Sequence, residues 1–89
     1  MSDLEYDVLD ELYFVQSYAQ LRDTLKWDDN MLRSTLESLL NKDWIRCYSS
    51  PTEELFGDQI DLETGSHTYY YLASKSGLFA HNSSDQNGG

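Results

Sequence analysis

Apolar residues recur at helical spacing along the first half of the chain and at strand spacing after it, and the densest pattern runs from Ser17 to Arg46. Ser17 and Gln20 form a capping box ahead of Leu21 and Leu25, which predicts a helix from about Tyr18 to Lys26. Lys26, Trp27 and Asp28 break the pattern, and Asp28 or Asp29 then serves as N-cap of a helix from about Asp29 to Lys42. In that helix Leu32, Leu36, Leu39 and an additional Leu40 share one stripe. Two helices joined by so short a turn make a helix-turn-helix. Upstream, Ser2 and Glu5 suggest a second capping box, and Leu4, Val8, Leu12 and Val15 predict a helix from about Asp3 to Tyr13. Its acids are read as a solvated face beside the positive helix N-terminus. Phe14, Val15 and Gln16 are left as a short extended link.

Past the third helix the spacing changes. Asp43 stands where a helix commonly ends in the left-handed conformation, which Asp tolerates better than most residues. Trp44 to Tyr48 has the aromatic and β-branched content of a strand, with Ile45 and Cys47 on one face and Trp44, Arg46 and Tyr48 on the other. Thr68 to Ala73 carries the strongest strand signal and is expected to pair antiparallel with it. Between them, residues 49–67 read as a long connection holding Pro51, Gly57 and Gly65, with Gln59 to Glu63 extending a strand and Thr64-Gly65-Ser66 turning the chain. Ser74 to His81 suits one or two helical turns in which Leu78 and Phe79 close the core. Gly77 weakens that helix by about 1 kcal/mol relative to alanine. The polar residues 83–89 read as a disordered tail, so one domain covers 1–82.

Charge sharpens this picture more than length does. An 89-residue chain supports a single core, but six Lys and Arg face sixteen Asp and Glu, for a net −10. Residues 1–46 hold ten acids and five bases, and residues 47–89 hold six acids and one base, so no basic lobe is hidden. Such a field repels phosphate and anionic lipid and favours basic partners. With one cysteine there is no internal disulfide, and the acidic N-terminus has no targeting character, so a cytoplasmic protein without a membrane segment is expected.

The order helix, short extended segment, helix, turn, helix, strand, long loop, strand resembles the winged helix-turn-helix family. Leu32, Leu36 and Leu39 followed by Asp43-Trp44-Ile45 are similar to that family's V-x-x-x-L-x-x-L-x-x-x-G-L-I passage from recognition helix to first wing strand. Tyr71-Leu72-Ala73-Ser74-Lys75-Ser76-Gly77 resembles the Y-x-L-T-x-x-G run after the second wing strand in several bacterial regulators. The resemblance spans about residues 3 to 81. It implies an α+β fold: a three-helix bundle containing the helix-turn-helix plus a small antiparallel β-hairpin wing.

Two uses of that fold compete on chemistry. As a DNA-binding regulator, the chain would offer Asn30, Arg33 and Ser34 on the recognition helix to base edges, with Lys26, Lys42 and Arg46 approaching phosphates. Against this stand Asp28 and Asp29 at the helix N-terminus and a wing with five acids and no base, because duplex affinity draws on several cationic contacts. As a protein-interaction module, plausible for an accessory factor in transcription or another nucleic-acid process, it would present Leu55 and Phe56 as an apolar anchor with Glu53, Glu54 and Asp58 as an acidic rim for a basic protein. Either the anchor is presented or it folds back onto the sheet. The second use is the one expected. His67, His81 and Cys47 match no metal-site spacing, Cys47 reads as a strand residue, and no catalytic or cofactor motif appears, so neither an enzyme nor a metal or cofactor site is expected.

Overall fold

A computed structural model describes the backbone of residues 1–88 and the side chains of residues 1–83. The described chain is α+β, with five α-helices and one four-stranded antiparallel sheet. No helix among the described residues is long and apolar enough to cross a membrane.

The helix starts follow their local signals. In α1 (Asp3–Glu11), Ser2 Oγ accepts from the Glu5 amide at 3.1 Å while Glu5 Oε1 accepts from the Ser2 amide at 3.0 Å. In α2 (Tyr18–Leu25), Ser17 and Gln20 repeat the exchange at 3.1 and 2.8 Å. Asp28 caps α3 (Asp29–Asn41) by accepting from the Met31 amide at 2.8 Å. That helix ends in a Schellman motif: Asp43 is left-handed at φ 60, its amide donates to Leu40 O, and the Trp44 amide donates to Leu39 O.

Strand β1 (Gln16–Ser17) lies between α1 and α2 and pairs with β4 (Tyr70–Ala73), which pairs in turn with β2 (Ile45–Ser50). Cys47 stands opposite Tyr71, and Ile45 opposite Ala73, so the inward faces of both strands meet the helices. Val8 and Leu9 of α1 with its C-cap Leu12, Leu21 of α2, and Leu32, Leu36 and Leu39 of α3 close the core over this face.

Several expectations need correction. The connection 49–67 is not one loop: β2 continues to Ser50 and turns at once into β3 (Glu53–Leu55), the outer strand of the order β1-β4-β2-β3. Gln59 to Glu63 does not extend a strand. After a 3-10 turn at Gly57–Gln59, Asp61 accepts from the Glu63 and Thr64 amides and starts the one-turn α4 (Leu62–Gly65), which drops Leu62 into the core. Tyr69 and Tyr71 hold this segment down, the first accepting from the Asp61 amide at 3.0 Å and the second donating to Ser66 O at 2.7 Å.

The helix stripes shift too. Leu4 is 38% exposed, whereas Leu9 is fully buried, because α1 also carries the last helix on that side. Helix α5 (Lys75–Gly88) is longer than one or two turns and remains helical through Gly88 where an irregular tail is expected; Gly89 lies outside the described residues. Ser74 caps its first turn by accepting from the Gly77 amide at 3.1 Å, and elongation from an anchored turn adds one hydrogen bond per residue. It docks through Gly77, Leu78 and His81, leaving Phe79 75% exposed instead of closing the core.

Candidate functional site

Two of the three cations expected near a phosphate backbone, Lys42 and Arg46, are engaged by carboxylates of the fold. Lys42 Nζ donates to both carboxylate oxygens of Glu5 at 2.9 and 2.8 Å and lies 4.8 Å from the Trp44 ring centre. Glu5 is only 4% exposed and also accepts from Ser38 Oγ at 2.8 Å. Burial pushes its carboxyl up, but the bonds from Lys42, the Ser2 amide and Ser38 outweigh that and hold it at about 2. Glu5 is therefore a buried carboxylate paired with the half-exposed Lys42, not part of a solvated face.

Arg46 Nη1 donates to Glu54 at 2.8 Å, which raises the guanidinium above its ordinary range. Lys26 lies 3.7 Å from Asp23, and Arg33 donates to Asn30 Oδ1 at 3.1 Å. Ser34 is exposed. Nor do the six candidates share one place: at helical rise Asn30 and Lys42 stand about 18 Å apart along α3.

A groove with a volume of about 480 Å³ opens against the C-terminal half of α3, where Glu37 and Asn41 continue the helical stripe of Asn30 and Ser34. One bank is the C-terminal half of α3 with Glu37, Leu40 and Asn41; the other is formed by Leu55, Phe56 and the Ile60–Glu63 segment, with Ile45 and Cys47 beneath. Of the five residues expected to bind a protein, Glu54, Leu55 and Phe56 line it. Glu53 instead accepts from Ser49 Oγ at 3.1 Å, and Asp58 is exposed in the neighbouring turn. Both readings of the apolar pair hold in part: Leu55 folds back onto the core, whereas Phe56 stays 62% exposed. Gly57 at φ 53 makes the turn that leaves Phe56 outside, a conformation that side chains rarely adopt.

Around the groove stand Glu37, Asp43, Glu54, Asp61 and Glu63 against a single cation, Arg46, which Glu54 engages. Among the described residues no salt bridge holds Glu37, Asp43 or Glu63. Sequence reasoning missed Glu37, Leu40, Ile60 and Glu63 as neighbours. Leu40 carried a signal, being one leucine more than the core stripe needs, and Ile60 and Leu62 on either side of Asp61 carried another.

The remaining candidates stay apart. No group of three or more His, Cys, Asp or Glu positioned for a metal ion is found among the described residues. His81 is buried, stacked on Tyr6 at 4.2 Å and hydrogen-bonded through Nδ1 to the Tyr13 hydroxyl at 2.8 Å. His67 meets the edge of Tyr18. Burial pushes the Cys47 thiol up to about 12, so the native protein is expected to resist iodoacetamide in mildly alkaline buffer while the urea-unfolded chain is alkylated, as read by mass spectrometry. Labelling of the native chain at the unfolded rate would mean that β2 separates from α3.

The chain matches no family model, no curated protein and no solved structure.

Proposed function

We propose that this chain is a winged-helix domain used as a protein-interaction module, an accessory factor in transcription or another nucleic-acid process, that meets basic partner proteins through its acidic surface. The element order supports the winged-helix reading: β1 sits between α1 and α2, α2 and α3 are joined by three residues, and β2 and β4 pair as wing strands with β1 alongside. In this reading β3 and α4 elaborate the wing.

The observation that carries the interaction reading is the disposition of charge. Lys42 and Arg46 are engaged by Glu5 and Glu54 at 2.8 Å, whereas among the described residues no salt bridge holds Glu37, Asp43 or Glu63, which in this reading face the partner. Complementary potentials of this kind steer association and reject like-charged surfaces.

Titration with pooled genomic duplex fragments at low salt tests it, since phosphate-driven binding is strongest there. The expected result is no micromolar binding, together with retention of a basic protein from lysate that is lost in the Glu37→Lys/Glu63→Lys double variant. Micromolar DNA binding that weakens steeply with salt and disappears in Arg33→Ala would instead establish a DNA-binding regulator.

A further inference from the structure

Resting on that reading, we infer that the groove between α3 and the β3–α4 segment takes one linear segment of the basic partner, seating an apolar anchor side chain between Lys or Arg residues. Its floor is apolar where Leu40, Leu55 and Ile60 are half-buried, and its volume of about 480 Å³ suits one large side chain and its flanks. Phe56 stands at the mouth, mostly exposed, as an aromatic surface for the anchor to cover. Glu37 on one bank and Glu63 on the other leave acids on both sides of the anchor, so cations must flank it in both directions.

Both banks are preformed. The α3 bank ends in its Schellman motif, and the opposite bank is fixed by the Phe56 amide donating to Gln59 Oε1 at 2.9 Å and by the bond from the Asp61 amide to Tyr69. Little ordering is needed on binding, which favours a short ligand.

Charge decides among occupants. A nucleic acid or anionic lipid meets like charge on both banks. A second copy brings another net −10, with its cations largely tied up in ion pairs. The chain's own last residues, Ser84 to Gly89, contain neither a base nor a large apolar side chain.

Synthetic peptides with one leucine, phenylalanine or tryptophan between lysines and arginines test this, by fluorescence anisotropy and by amide shift mapping on the whole chain. Controls replace the anchor with serine or the bases with glutamates. The expected result is binding by the basic anchored peptide alone, with shifts centred on Leu40, Leu55, Phe56 and Ile60. Phe56→Ser is expected to weaken it about tenfold, and Glu37→Lys and Glu63→Lys each several-fold with a shallower salt dependence. All three positions are exposed, so these variants keep the fold.

Equal binding of the serine control, with shifts spread over the acidic surface, overturns the groove and leaves the interaction reading standing. Groove shifts that grow with protein concentration before peptide is added make a second copy the occupant and overturn it as well. Should no peptide bind, the linear-segment inference falls; the interaction reading falls with it only when intact basic proteins also fail to bind.

Discussion

Replacing Lys42 with methionine is expected to cost about 3 kcal/mol, measured by urea unfolding at neutral pH, because it leaves the buried Glu5 carboxylate without its cation. Methionine keeps the stem that lies against Trp44, so lost packing contributes little. Glu5→Gln is expected to cost less, since its amide oxygen still accepts from the Ser2 amide, the Ser38 hydroxyl can turn to accept from its NH2, and no buried charge is left unpaired. The double variant should recover part of the Lys42→Met loss, a coupling that two independent sites would not show.

The same pair sets an acid limb. Glu5 has its carboxyl lowered from 4.5 to about 2, so its contribution is full above the unfolded value and is lost as pH falls from about 4.5 through about 2. The gap corresponds to about 3 kcal/mol, and the solvent that reaches Lys42, 41% exposed, reduces this to about 2 kcal/mol. Glu5→Gln should therefore flatten the stability profile in that window. Identical acid limbs in the two proteins would mean that Glu5 is solvated in the native state.

Gly77→Ala is expected to destabilise by about 3 kcal/mol, the opposite sign to helix propensity. A methyl group there would overlap the Trp44 carbonyl oxygen and press on Leu9 Cδ2 at 3.1 Å. That carbonyl already accepts from the Ser74 amide at 2.9 Å, while Ser74 Oγ donates to Asp43 O at 2.8 Å, so the end of α3 and the start of α5 are joined through backbone that cannot give way. The variant should show faster amide exchange along α5 and loss of the His81 ring stacking on Tyr6. A gain of about 1 kcal/mol would mean that α5 does not dock here.

Much of the helical framework was legible because its signals are short. Ser2 with Glu5, Ser17 with Gln20, and Asp28 each act on amides within three residues, and the left-handed Asp43 acts on the turn just before it. The strands around Cys47 and Tyr71 were legible for the same reason, since alternation fixes which side chains face inward. Gln59 to Glu63 was misread because Asp61 competes with the extended backbone by capping a helical turn, and the burial of Leu62 pays for it. Phe79 was misread because one position decides which way a helical side chain points, and the close approach at Gly77 sets the docking face of α5.

The sequence by itself determined the α+β class, the caps, the order of the first three helices and of the paired strands β2 and β4, and an excess of acid that no pairing removes. Only the tertiary structure decided which charges the fold itself pairs and which it leaves unpaired. Glu5 and Lys42 are 37 positions apart, and no local pattern shows that one neutralises the other, because ion pairing depends on separation and desolvation in space. The groove has the same origin: α3, β2, β3 and the segment to Glu63 each supply a wall, and its apolar floor and acidic banks exist only where those four meet.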